Sequence, residues 1–480
     1  MKYAPPQGWF GLRKPTPPYS ALVAKDGSTV WAEDASGKTI ASGESGEDDA
    51  SVIQSALNTV SDGRIVLKRA EYSLSEPIKI SLPKRLIIEG EGYNTVLRVE
   101  NDSAGFEIVQ TAFSTSNLMC KFKDLRVVGD RSSFPNAKGI YLKYEAETIR
   151  RVLLENVEFS SLKTALHVES LTLSQLSNIF IDNCENGIFF DVKYNQKIYN
   201  INILHLRTAF DVDYPLKCVV TTGNSAHLML NVVGNEIGHR KCAVYFEGAG
   251  WSYPIQLVKF IGLNFESNKD TTTETVYMKY TQRVSFDRCS IHGGVTTVNN
   301  RQAYLESCYD ISFRDCYIGA WGDNTNEAGL YLSGGEHIQV SGGVISGFTY
   351  PIKGSGQKKL ALQLSNVYMQ NLPENIEYMH KNCYFYIGGE YKYGENSGTA
   401  TFSGDGSTTD FEIGAHGLVI TAPSKIAVRV TPASSDAIAA SPCVGYVDPA
   451  DNTKIRVKFS SAPASGDNNV QIVWHAEIIS

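Results

Sequence analysis

The chain has 480 residues, 42% of them hydrophobic, with a net charge of −7 and an isoelectric point near 5.8. An acidic surface repels polyanions and argues against nucleic acid as a partner. No run of eighteen apolar residues is present to cross a membrane as a helix.

Residues 1–20 are Pro-rich and read as an extended arm that attaches to another protein or lies on a neighbouring subunit. The opening Met1–Pro6 lacks the apolar stretch of a signal peptide. Thr29–Glu33 and Lys38–Ala41 flank Asp34-Ala35-Ser36-Gly37 and predict a small β-hairpin. Next, Val52, Ile53, Ala56, Leu57 and Val60 form one apolar stripe, so a helix is expected, its start capped by an Asp. Laid over the end of a sheet, such a helix covers unpaired strand edges.

From there a five-residue phrase returns about every 22 to 34 residues, the period of a stacked solenoid. Its copies are Gly139–Lys143, Ala165–Glu169, Gly187–Asp191, Ala209–Asp213, Ala243–Glu247, Thr275–Lys279, Gln302–Glu306, Gly329–Ser333 and a degraded Pro351–Lys353. Each alternates apolar and polar, a strand with one face inward. A second phrase lies between the copies: Phe122–Val127, Leu154–Phe159, Leu176–Ile181, Ile198–Ile203, and shorter forms beginning at Met229, Phe260, Phe286, Phe313, Val340 and Leu364. Its third position is Asn or Asp in seven of ten copies: Asp124, Asn156, Asn178, Asn200, Asn231, Asp315 and Asn366, against Gly262, Arg288 and Gly342. This column is expected to point inward and to satisfy buried backbone groups, a structural duty. After Gly394–Gly398 come short alternating runs, Thr409–Ile413, Ile426–Val430, Lys454–Phe459 and Val470–Trp474, which predict a small β-sandwich. The nine cysteines show no metal-binding spacing, and Cys289 and Cys316, stacked on neighbouring coils, read as buried small apolar residues before a disulfide.

Two strands and a polar corner per short coil describe a parallel β-helix. In this the chain resembles the right-handed pectin-lyase-like β-helix superfamily, over roughly Glu47 to Tyr393. Asp48-Asp49, Ile53-Gln54 and Ala56-Leu57, followed by Ile65–Leu67, Tyr72–Leu74 and Leu86–Gly92, are similar to the opening of pectate-lyase-type domains in virus tailspikes. The resemblance implies an all-β chain: an arm and hairpin at 1–46, a capping helix and right-handed parallel β-helix at 47–397, and a C-terminal β-sandwich at 398–480 that trimerises or binds glycan. It further implies an extracellular, virion-borne homotrimer, attached through its N-terminal arm to other virion proteins and recognising a host surface polysaccharide. A secreted polysaccharide lyase or glycoside hydrolase and a purely structural spike are the alternatives, because one fold hosts many functions.

The outward positions of the first phrase carry aromatics beside carboxylates. Tyr245, Tyr277, Tyr304 and Tyr331 offer ring faces for sugars, with Trp251, His239 and Glu266 on or near the longest coil as further contacts. Asp191, Asp211, Asp213 and Glu247 are the candidate catalytic carboxylates. Neighbouring coils would set them about 4.8 Å apart, and two positions along one strand roughly 6.5 to 7 Å, spacings within reach of glycosidase geometry. Stacked like charges would raise at least one pKa, as a general acid requires. No cofactor is expected; calcium is the ion such an acidic column would take. Solvated surface and binding without cleavage are the competing readings, and no active-site motif of pectate lyases or polygalacturonases is present.

Overall fold

The computed structural model describes residues 19–112, 120–193, 198–221, 226–271, 274–295, 301–321, 327–355, 360–371, 376–381, 384–387, 390–393, 395–418 and 422–479. The arm at 1–18 lies outside them. Two compact units emerge, Met1–Val212 and Asp213–Ser480.

The first unit begins with an antiparallel meander of Ala21–Asp26, Thr29–Asp34 and Thr39–Glu44, one strand more than the expected hairpin. Its first strand pairs in parallel with Asp62–Leu67, so the meander passes directly into the coils. The helix Asp49–Thr59 buries Val52, Ile53, Ala56 and Leu57, the stripe read from the sequence. The expected Asp cap does not form. The Asp48 side chain accepts from the Glu44 amide, while Asp49 is fully buried, paired to Lys25 at 2.7 Å and accepting from the Ser73 amide at 2.6 Å. A carboxylate buried this deeply is held by partners on the sheet, so it pins the helix to the strands beneath it.

Asp62–Leu67, Arg85–Gly90, Cys120–Val128, Val152–Ser160, Leu171–Asp182 and Ile198–Thr208 pair in parallel, each with the next. A second stack runs through Ile78–Leu82, Ala104–Gln110, Lys138–Lys143, Thr164–Val168 and Asn186–Val192. Parallel strands joined by crossovers wind right-handed, and the fold is a right-handed parallel β-helix. Its interior is a column of aligned apolar side chains, such as Phe122, Leu154, Leu176 and Ile203.

The asparagine column serves another purpose than expected. Nine of its ten positions have left-handed φ, namely Asp124 54°, Asn156 54°, Asn178 52°, Asn200 60°, Gly262 62°, Arg288 52°, Asp315 50°, Gly342 66° and Asn366 53°. These residues turn the coil, and Asn, Asp and Gly tolerate that region best. Asn178 and Asn200 are exposed, so the amides face outward. Asn178 Nδ2 donates to Asn156 Oδ1 at 2.9 Å, and Asn156 Nδ2 to Asp124 Oδ1 at 2.7 Å. Asn200 belongs to a different corner. The register sets Leu176 against Ile203, five residues beyond the position the repeat suggested, so Asn178 lies opposite His205.

In the second unit, Tyr214–Val220, Val244–Glu247, Val276–Lys279, Arg301–Arg314, Ala328–Ser341 and Tyr350–Gly354 stack in parallel. Its interior carries a ladder of Phe260, Phe286 and Phe313, with centroids 4.7 and 4.9 Å apart. The described cysteines are all free, Cys289 and Cys316 among the buried ones. The C-terminal sandwich has two three-stranded antiparallel sheets: Glu395–Gly404, Gly466–Ile478 and Ile426–Pro432, and Asp410–Ala415, Lys454–Phe459 and Cys443–Val447. Val457, Phe459, Val470 and Ile472 share one core between the sheets.

Candidate functional site

In the first unit, strands Thr164–Val168 and Asn186–Val192 bury Leu166, Val168, Ile188 and Phe190, which turns His167 and Phe189 outward. Tyr141 on Lys138–Lys143 precedes them in register. The three rings follow one another with centroids 4.8 and 5.0 Å apart, tilted by 40° and 38°. Glu169 and Asp191 stand where these strands end. Lys193 follows Asp191 by two residues, and its Nζ reaches Asp191 Oδ2 at 2.8 Å and Glu169 Oε1 at 3.0 Å. His167 Nε2 lies 3.3 Å from Asp191 Oδ2. The Tyr141 hydroxyl donates to Glu169 Oε1 at 2.8 Å, and the Tyr144 amide to Oε2 at 3.1 Å.

Glu169 is only 7% exposed. Burial pushes its carboxyl up, but the bonds from Lys193, Tyr141 and Tyr144 outweigh that and hold it below the usual value. Asp191 behaves likewise, burial raising it and His167 with Lys193 lowering it further. Burial, then the bond to Glu169, raises the Tyr141 phenol, which keeps its proton. Burial also lowers Lys193, yet its two carboxylate partners raise it more. The cluster therefore presents two ionised acceptors, an ammonium, a phenol and an imidazole on one sheet face. That set suits hydroxyl groups; it lacks the protonated carboxyl of a general acid.

The other candidates separate. Ala209–Asp213 is not a strand: residues 210 and 211 form a turn, and the strand begins at Tyr214. In that strand Lys217, not Asp211, aligns with Tyr245, and Val219, not Asp213, with Glu247. Asp is depleted in strands and favours turns, and the displaced register upstream carries the phrase into a corner. Asp211 accepts from the Asn183 amide at 2.8 Å. Burial, and then the charge and hydrogen bond of Asp211, raise the Asp182 carboxyl. Asp213 is buried and neutralised by Arg240 and by Lys241 at 2.9 Å. Glu247 accepts from the Tyr245 hydroxyl at 2.7 Å.

Tyr245, Tyr277, Tyr304 and Tyr331 do form one outward column. Their rings stack on one another at 4.8, 5.6 and 5.5 Å, nearly parallel, and the Arg301 guanidinium lies 3.7 Å from the Tyr331 centroid. The faces expected to meet sugars are spent within the column, leaving ring edges and hydroxyls outward. His239 is fully buried and neither ring nitrogen makes a well-formed hydrogen bond among the described residues, so it is no surface contact. Trp251 is half-exposed, set edge-on to Tyr280 at 5.9 Å. Glu266 aligns with His292 on the neighbouring coil and accepts from Asn264 at 3.4 Å. Trp321 and Asp323, a weaker aromatic and acidic candidate pair in the sequence of the next loop, contribute nothing here, since Asp323 and the Trp321 side chain lie outside what is described. Lys193 and Lys241 are not singled out by the sequence, whereas Arg240, beside His239 on the longest coil, is. For Lys193 the signal was period two, which carries Asp191 and Lys193 on one face.

Among the described residues, two groups of His and carboxylate side chains bring one ligand atom each within 4.8 Å: His167, Glu169 and Asp191, and Glu395, His475 and Glu477. Neither contains Asp211, Asp213 or Glu247. In the first group the Lys193 ammonium already bridges both carboxylates.

No protein-family model matches the chain, and neither does any curated protein. Among solved structures it is similar to the A-module of a mannuronan C-5 epimerase from Azotobacter vinelandii, at 16% identity over 70% of this chain and 94% of that one, with a TM-score of 0.47. Tailspike protein 3 of bacteriophage CBA120 is 15% identical over 70% of this chain and 60% of its own, with a TM-score of 0.43. The tailspike of E. coli bacteriophage HK620, in complex with a pentasaccharide, is 10% identical over 92% of each chain, with a TM-score of 0.42. These likenesses concern fold alone; the parallel coils rest on the strand pairing of this chain.

Proposed function

We propose that this chain is a spike protein that recognises a host surface polysaccharide, and that the pocket of Tyr141, His167, Glu169, Asp191 and Lys193 binds it. The observation that carries the reading is the cluster itself: two largely buried carboxylates on successive coils, held ionised, with donors fixed around them. Preorganised acceptors and donors on rigid strands bind hydroxyls at small entropic cost. The reading includes a virion-borne homotrimer whose N-terminal arm meets other virion proteins, since a glycan receptor is bound most firmly by several copies at once.

Cleavage of the bound glycan is the second reading, and one observation outside the pocket favours it. The Asp182 carboxyl is raised by burial and by Asp211 beside it, the direction a general acid requires. A glycan array of bacterial surface polysaccharides tests the main reading, followed by assays for new reducing ends and for unsaturated uronate. Binding to an array member, lost in Asp191→Ala, is the expected result. No binding anywhere on the array contradicts it. New reducing ends that vanish in Asp182→Asn would add hydrolysis, and unsaturated ends elimination.

A further inference from the structure

The second group of converging ligands lies on the sandwich, and we propose that Glu395, His475 and Glu477 bind zinc or a similar first-row divalent cation. Glu395 and Glu477 face each other across paired strands, and His475 precedes Glu477 by two positions on the same face. His475 Nε2 stands 3.9 Å from Glu395 Oε2 and 3.7 Å from Glu477 Oε2. These separations are too long for hydrogen bonds. They lie close to the roughly 3.3 to 3.6 Å that separates tetrahedral ligands bound to zinc at about 2.0 to 2.2 Å. A few tenths of an ångström of side-chain adjustment closes the set.

The contrast with His167, Glu169 and Asp191 is what singles this group out. There an ammonium sits between the carboxylates. Here the exposed Arg429 guanidinium bonds Glu477 Oε1 at 2.7 Å and leaves Oε2 turned toward His475. An arginine in that position orients the carboxylate, as partners outside a metal's ligand shell commonly do. One imidazole with two carboxylates is the donor set of zinc-like ions; calcium prefers six to eight oxygens. Glu395 opens the first strand of the sandwich and Glu477 lies near the end of its last, so the ion would clip the first strand to the last.

The test uses the full chain, stripped with a chelator and titrated with zinc alone, then with calcium alone, by calorimetry and thermal melting. Zinc should bind and raise the melting midpoint, calcium should not, and cobalt should give the visible absorption of a nitrogen- and oxygen-ligated site. Glu395→Gln and His475→Ala should each weaken zinc at least tenfold while leaving the metal-free melting midpoint close to the parent's. Glu477→Gln, which keeps a partner for Arg429, is the further check should His475→Ala fold poorly. Zinc binding of unchanged affinity in Glu395→Gln and Glu477→Gln, or no binding at millimolar zinc, overturns the proposal. Glycan binding is read separately, so failure here leaves the pocket in the first unit untouched.

Discussion

Lys193 is the residue on which the pocket turns, because it links two carboxylates that burial alone would push up. A carboxyl with a lowered pKa stabilises the fold above its unfolded value near 4 and loses that contribution as pH falls through the lowered folded value. The raised Lys193 contributes below its unfolded value near 10.4 and fades as pH rises through the higher folded one. Glu169, Asp191 and Lys193 therefore keep their charges between about pH 5 and 10. Lys193→Met should raise the titration of Glu169 and Asp191, visible in their carboxyl NMR shifts; unchanged midpoints would show that the ammonium is solvated instead. His239 behaves with the opposite chemistry. Desolvation pushes it down to about 3, with weak compensation from the backbone of Ile237 and Glu266, so the folded chain holds it neutral. The unfolded chain takes a proton below about 6.5, and stability falls by up to about 1.4 kcal/mol per pH unit from there toward 3. His239→Leu should remove that slope, and a parallel decline of both proteins in acid would show that other groups set it.

At the scale of elements, what the alternation reveals and what it conceals are both plain. Ala165–Glu169, Gly187–Asp191, Thr275–Lys279 and Gly329–Ser333 lie in or at the end of strands with the faces read from the sequence, since period two leaves no other choice where one side is buried. Phase was lost between Ile198 and Tyr214. Two left-handed corners there accept similar residues, and a strand of eleven residues replaces a shorter one, so Asn200 and Ala209–Asp213 were matched to the wrong partners. Ring orientation left no trace in the sequence either: a tyrosine every coil fits stacking on sugar or on its neighbour equally well. The corner account predicts that Asn178→Gly is nearly neutral while Asn178→Leu costs roughly 1 to 2 kcal/mol, measured from denaturation midpoints. Equal losses would return the column to amide bonding alone. For the tyrosine ladder, Tyr277→Ala removes two stacked contacts, each worth about 0.5 to 1.5 kcal/mol, and should lower stability without altering glycan affinity. Lost affinity at unchanged stability would mean the ring faces do meet ligand.

For the whole molecule, the homotrimer is checked by light scattering on the full chain at micromolar concentration, where three protomers are expected and a stable monomer contradicts the spike reading. The central claim, however, is a place on the surface. A crystal structure with the oligosaccharide selected on the array tests it most directly. Sugar hydroxyls are predicted within hydrogen-bond distance of Glu169, Asp191 and Lys193 in the first unit. Oligosaccharide density along the tyrosine column, at Trp251 or on the sandwich, with none at Asp191, would contradict it.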